Sequence, residues 1–259
     1  KDVIILAQNH ADRIPTGWRK WLRKIADRSI NAYLFTSTEM ALPWIRNKII
    51  PGESKIKEFM VGASIFPVMN KVAAKSMTKM KGSPAFLYVG RVDANKDPRT
   101  LIEAFSNFAR LQPSASLYFI IQNPEKKHEL QKLIEENDLM HVVFIVGKIP
   151  HLEMQSWFNS ADFIISTSYA EAFGMAVSEA MSCGCIPIVT NIPSFRKLTD
   201  NGNLGILFEP GNAGQLASAL EKAAKLNLDD ERKKILNHYN TYLSAEAIAE
   251  QICKAANSL

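Results

Sequence analysis

The sequence predicts an α/β protein whose main body is a parallel, doubly wound sheet, and three observations carry that prediction. From Ala85 onward, short runs rich in Val, Ile and Phe recur between longer amphipathic stretches. These runs are continuously apolar rather than alternating, so each strand is buried on both faces by helices. The chain is also large enough for a real interior: 259 residues, 47% hydrophobic and 22% charged, suffice for one large domain or two ordinary ones.

Taken in order, the first strand of this body is "FLYVG", ending at Gly90. A loop leads to a helix opening at Asp97-Pro98, because Asp suits the N-cap and Pro the first helical position. Leu101, Ile102, Phe105, Phe108 and Ala109 then repeat at helical period. "SLYFII" is the next strand and "KKHELQKLIEEN" the next helix. "HVVFIV" and "DFIIS" read as strands, with "HLEMQSWFNS" as the helix between them. A helix starting near Gly174, the strands "IPIVT" and "GILFEPG", and a helix in "NAGQLASALEKAAKL" complete the alternation.

The first 66 residues form a separate block, with strands in "DVIILAQ" and "NAYLFTS" and helices in "GWRKWLRKIADRS" and "STEMALPWIRNKII". Two or three strands are too few for an independent domain. The sequence is therefore expected to begin partway through a first domain, with on the order of a hundred residues ahead of Lys1. The predicted organisation is residues 1–66 as the C-terminal part of an N-terminal Rossmann-like domain, 67–84 as a Lys-rich linker, 85–235 as a second Rossmann-like domain, and 236–259 as helices returning toward the first.

Composition excludes several classes. No apolar run reaches the ~20 residues needed to cross a bilayer, and the N-terminus lacks the small-residue cleavage site of a signal peptide. Three cysteines without repeated spacing read as reduced thiols in a cytosolic setting. A net charge of +5 suits anionic ligands or an anionic membrane face and is too mild to argue for nucleic acid. Cys183 and Cys185 lack further Cys or His nearby in sequence to complete a metal site and read as small residues closing a helix against the sheet. In "GWRKWLRKIADR", Trp18, Trp21, Leu22 and Ile25 share one helical face. That stripe is expected to pack onto its own domain; the alternative is a peripheral contact with an anionic membrane.

In doubly wound sheets, ligands bind beyond the C-terminal strand ends. The loop after "FLYVG" carries Arg91 and Lys96 ahead of a helix N-terminus, an arrangement that neutralises a diphosphate. Without context, two exposed loop cations explain the same residues. The loop after "DFIIS" carries Glu171, and the amides of Phe173, Gly174 and Met175 form a helix start to which Gly174 lets a ligand approach closely. Glu179 sits further into that mostly apolar helix, where a carboxylate needs a partner, such as the vicinal hydroxyls of a ribose. The bland alternatives are a helix-start acid and an exposed helix residue.

Together, "GRVDANKDP", "EAFGMAVSEAM" with its E-x7-E spacing, "GCIPIVT" and "NGNLGILFEPGN" resemble the retaining glycosyltransferases of family four, over nearly the whole chain. The resemblance implies the two-domain GT-B fold with an N-terminal domain only partly present here. It also implies an enzyme that takes a nucleoside-diphosphate sugar on the C-terminal domain (85–235); the cysteine usage places it in the cytoplasm, with contact at the inner membrane face as the alternative for the Trp18–Ile25 stripe. The acceptor, a glycan or lipid-linked saccharide, would sit on the N-terminal domain (1–66). No cofactor or essential metal is implied, and the sequence has no D-x-D pair. Residue by residue, Arg91 and Lys96 would hold the diphosphate, and Glu171 the transferred sugar. Gly90 and the amides from Phe173 to Met175 would line sugar and phosphate, Glu179 would hold the ribose, and Ile149 would lie near the base. His10, in "AQNHAD", falls where the family keeps an N-domain histidine beside the reacting sugar. Two departures stand out: "IIQNPEKK" replaces the family's Gly-x-Gly loop, and "NIPSFRKLT" places Phe195 and Arg196 at its Pro-Glu pair. A phosphorylase or epimerase of the same architecture is the enzymatic alternative, and a donor-binding fragment without turnover is the non-enzymatic one. A nicotinamide-dependent enzyme is disfavoured, since "RVDANK" lacks the glycine fingerprint.

Overall fold

The structure, a computed structural model, describes residues 3–8, 14–60 and 62–257. Among the described residues the strands form two parallel sheets. The smaller has the order β1 (Leu6–Gln8), β2 (Ala32–Phe35), β3 (Ile56–Glu58). The larger runs β6 (Val143–Gly147), β5 (Ser116–Ile121), β4 (Ala85–Gly90), β7 (Phe163–Ser166), β8 (Ile186–Thr190), β9 (Ile206–Phe208). The chain thus builds outward from β4 to β6, returns to the other side of β4 for β7, and continues to β9. Strand order reverses between β4 and β7, which leaves a crevice at their C-terminal ends.

That order fixes where the helices go. Right-handed crossovers place α4 (Pro98–Leu111) and α5 (Lys127–Glu136) on one face, and α6 (Met154–Ser160), α7 (Met175–Ser182) and α8 (Pro193–Leu198) on the other. Accordingly α4 packs against α9 (Ala213–Ala223), and α6 packs against α3 (Lys71–Thr78). Asp97 caps α4 as its composition suggests, accepting from Thr100 N at 3.3 Å, with Pro98 at the first position. The core between these layers is aromatic: Phe86 stacks on Phe163 at 5.2 Å and meets Phe105 and Phe108 edge-on.

The smaller sheet has its own cluster, in which Phe35 meets Trp44 edge-on at 6.0 Å. It lies between β2 and α2 (Thr38–Arg46), a helix shorter than the apolar run suggested, ending at Asn47. The stripe of α1 (Gly17–Ala26) does not pack onto this sheet. The helix buries none of its residues, and Trp18, Trp21, Leu22 and Ile25 all face outward. Its inward side is polar instead: Arg23 lies over the Trp44 ring at 5.6 Å, and Asp27, just after the helix, binds Tyr33 Oη and Lys55.

Between the sheets the chain is extended over 62–69 before it forms α3, within the segment read as a linker. Its backbone is fastened to the larger body by side chains: Ser178 Oγ donates to Gly62 O (2.8 Å), Tyr239 Oη accepts from Ser64 N (2.6 Å), and Asn159 Oδ1 accepts from Met69 N (2.7 Å). The sheets also meet directly. Thr36 Oγ1 donates to Ala172 O at 2.6 Å, and Arg196 and Lys197 of α8 pair with Glu39 and Glu58. At the C-terminal end, α10 (Leu228–His238) runs through the expected 235/236 boundary, followed by a wide turn and α11 (Ala245–Asn257). These elements enclose a cavity of about 690 Å³ with Phe59, Met60 and Lys197.

His238 lines that cavity, half-buried, with Nε2 lacking a hydrogen-bond partner among the described residues. Burial pulls its pKa below the ordinary 6.5, only partly opposed by Asp200. The native state therefore holds the ring neutral, while the unfolded chain takes up a proton as pH drops below 6.5. Stability from this group is full above that value and is lost progressively below it. Urea unfolding of wild type and His238→Gln at neutral and mildly acidic pH should show a smaller acid-side loss in the variant; parallel losses would refute the assignment.

Candidate active site

The crevice between β4 and β7 is where the two candidate loops meet. The loop after β4 folds on itself through Asp93, which accepts from Lys96 N (3.0 Å) and pairs with Arg91 Nη2 (2.6 Å). It is then tied on both sides. Toward β5, Asn123 Oδ1 accepts from Val92 N (2.8 Å) and Asn123 Nδ2 donates to Val92 O (3.2 Å). Toward β7, Asn95 Oδ1 accepts from Ala170 N and Asn95 Nδ2 donates to Ala170 O, both at 3.1 Å, while Tyr169 N donates to Asn95 O. Thr167 Oγ1 adds a bond to Lys96 O at 2.6 Å.

This lacing delivers Lys96 to Glu171. Lys96 Nζ and Glu171 Oε1 form an ion pair, and Ser168 Oγ donates to the same oxygen at 2.7 Å. Both side chains are largely buried, so the charges hold each other where neither would be stable alone. Beneath them Tyr88 donates its hydroxyl to Arg91 O (2.7 Å). Burial, with Asp93, Glu171 and Asp97 nearby, pushes its pKa well above the ordinary tyrosine value, so it stays a neutral donor.

A cavity of about 360 Å³ opens over this pair, lined by Gly90, Lys96, Gln122 and the run from Glu171 to Val177. The start of α7 faces it without a side-chain cap, leaving its first amides free for an anion. Gly174 is required there twice over: its φ is +94°, and a Cβ would come within 2.5 Å of the Phe195 ring. Phe173, buried beside it, lies so close to Gly62 that a Cβ on Gly62 would fall 2.0 Å from its ring.

The structure thus brings Gly90, Lys96, Glu171, Phe173, Gly174 and Met175 to one cavity. Arg91 lies outside its lining, exposed and held by Asp93. Glu179 and Ile149 are also outside it. Glu179, partly buried, is hydrogen-bonded to His151 Nε2 at 2.8 Å, and the His151 ring rests against Phe66 at 4.9 Å. His10 lies outside the described residues. Cys183 and Cys185 are buried, and burial raises the Cys183 thiol to about 11. Among the described residues no group of three or more His, Cys, Asp or Glu gathers as a metal site. Sequence reasoning passed over Asp93, Asn95, Asn123, Ser168 and His151. The only signal for them was short polar residues at strand exits, and Asn123 stood in the "QNP" read as a departure.

Comparison with known proteins follows the same lines. Residues 71–241 match the model of the family described as glycosyl transferases group 1. A D-inositol 3-phosphate glycosyltransferase of Paenarthrobacter aurescens is 30% identical over 138 residues, 52% of this chain and 34% of that protein. An alpha-D-kanosaminyltransferase of Streptomyces kanamyceticus is 24% identical over 216 residues, 82% of this chain and 55% of that protein. The chain therefore spans between 34% and 55% of the length of these relatives. Among solved structures, Anabaena HepE in complex with UDP superposes with a TM-score of 0.82 at 18% identity, over 99% of this chain and 72% of that one. The sucrose-phosphate synthase of Thermosynechococcus elongatus gives 0.76 at 21% identity, over 98% and 67%. The fold is that of the GT-B glycosyltransferases.

Gly174→Ala should destabilise the protein by roughly 1–3 kcal/mol, from the left-handed backbone and the Phe195 contact together. Gly52→Ala, with extended backbone and nothing within 4 Å of its Cβ, should stay within about 0.5 kcal/mol of wild type. Denaturant midpoints of the two variants check the contrast.

Proposed function

The chain belongs to the glycosyl transferases group 1 family, and on that premise we propose that it forms the donor site of a retaining, metal-independent glycosyltransferase of family four. Its substrate is a nucleoside-diphosphate sugar, and the acceptor is a glycan or a lipid-linked saccharide. The observation that carries this reading is the Lys96–Glu171 pair at the uncapped start of α7, inside one cavity at the strand-order reversal.

In this reading the diphosphate lies across the first amides of α7 and meets Lys96. An ammonium has three donors, so Lys96 reaches a phosphate oxygen while keeping Glu171. Glu171 Oε1 already takes bonds from Lys96 and Ser168, which leaves Oε2 to accept from a hydroxyl of the transferred sugar. Arg91 is exposed, free to exchange Asp93 for phosphate when donor arrives. The ribose falls to Glu179, steadied by His151, with backbone near Ile149 beside the base. The glycosidic bond to phosphate breaks ahead of acceptor attack, and charge builds on the departing diphosphate where Lys96 and the α7 dipole are already placed. Attack comes from the same face, with the leaving phosphate taking the acceptor proton, so no protein nucleophile is assigned. His10 is assigned to the reacting sugar by the family resemblance alone.

Lys96→Ala should lower sugar transfer by about 10²–10³ while circular dichroism keeps the folded signature, and the melting temperature should drop because Glu171 loses its counter-charge. Transfer within a few-fold of wild type would remove Lys96 from the mechanism. A thermal-shift series with uridine, guanosine and adenosine diphosphates should single out one base by its stabilisation; no shift with any of them would count against a nucleotide site.

A further inference from the structure

Helix α7 continues past the edge of the cavity it opens onto. Met175 and Ala176, which line that cavity, share a side of the helix with Glu179, four and three residues on. One helical turn, about 6 Å, therefore separates the free amides at the helix start from a carboxylate. A nucleotide lying along the helix spans the same interval between its phosphates and its ribose hydroxyls. The Glu179 side chain keeps only 13% of its surface exposed, so water can supply few of its hydrogen bonds. Among the described residues its carboxylate makes one, between Oε1 and His151 Nε2 at 2.8 Å, and Oε2 takes none.

His151 is built into the larger body although its side chain is 59% exposed. It opens the short turn His151–Glu153 ahead of α6, and its ring leans on Phe66 at 4.9 Å. Phe66 belongs to the main core, and its carbonyl accepts from Ser182 Oγ of α7 at 3.2 Å. An imidazole so exposed adds little to stability through a single carboxylate bond. Braced on a fixed ring, it instead sets the rotamer of Glu179 and commits Oε1, so that Oε2 is the oxygen left for a ligand. We propose that His151 is a positioning residue for donor recognition: it pins Glu179 so that Oε2 accepts from the vicinal hydroxyls of a ribose, and it thereby makes the site prefer ribonucleoside over deoxyribonucleoside diphosphates. The proposal rests on the donor-site reading above and adds to it the residue that sets this preference.

The test is calorimetric titration of the full chain with uridine, guanosine and adenosine diphosphates, each beside its 2′,3′-dideoxy form. In wild type, for the base that binds, the ribonucleotide should bind about tenfold more tightly than its dideoxy counterpart. His151→Ala should cut that ratio to about twofold by weakening the ribonucleotide alone. His151→Gln should keep it, because the amide nitrogen replaces Nε2 as donor. Each ratio is taken on one protein, so a general loss of stability cancels from it, and the exposed position should leave melting temperatures near wild type. An unchanged ratio in His151→Ala, a ratio near one in wild type, or a Gln variant that behaves as the Ala variant would overturn the proposal while leaving the diphosphate site standing. If wild type binds no nucleotide in the series, the donor-site reading falls and this proposal falls with it.

Discussion

The site depends on strand order before it depends on any side chain. Because β7 returns to the far side of β4, the loops leaving these two neighbours turn to opposite faces and part, and the gap between them is the cavity. A chain that continued in one direction would cover the same strand ends with successive crossovers. The reversal also explains why loop residues can serve as fixed groups. The two loops are adjacent enough for Asn95 to exchange both of its amide bonds with one residue, Ala170. Lys96 and Glu171 then meet from chain positions 75 apart.

The larger sheet was legible because its strands are uniformly apolar and its helices carry their own punctuation, such as Asp97-Pro98. Glycine gave equally direct information: Gly174 was singled out for close approach, and its left-handed backbone requires that residue. Lys96 and Glu171 could be named from their places at strand exits. Their mutual ion pair could not, since it forms only after the reversal brings distant loops together. Asn95 and Asn123 were invisible for a related reason: a short amide in a polar loop looks the same whether it braces a neighbour or faces water. Helix α1 shows the limit of periodicity. Its stripe was read correctly as a stripe, but periodicity fixes which residues share a side and not which way that side points. The direction was set by Arg23 on Trp44 and by Asp27 on Tyr33 and Lys55, contacts across the fold.

The two sheets are joined by bonds of unequal strength. The ion pairs from Arg196 and Lys197 to Glu39 and Glu58 are substantially exposed, and pairs of that kind contribute about 0–1 kcal/mol each. Glu58 illustrates the balance. Its burial opposes ionisation, yet Lys197 and the Thr38 bonds outweigh that and hold its pKa below the usual carboxylate value. The extended segment from Gly62 is held differently. Its partners are Ser178, Asn159 and Tyr239, and its neighbours Phe66 and Phe173 belong to the main core. It is packed as part of the larger body.

That fastening has a consequence for the start of α7. The backbone at Gly62 accepts from Ser178 of that helix and lies against the Phe173 ring, so close that a Cβ there would fall 2.0 Å from it. Any side chain at position 62 would push on the ring that adjoins the first amides of α7.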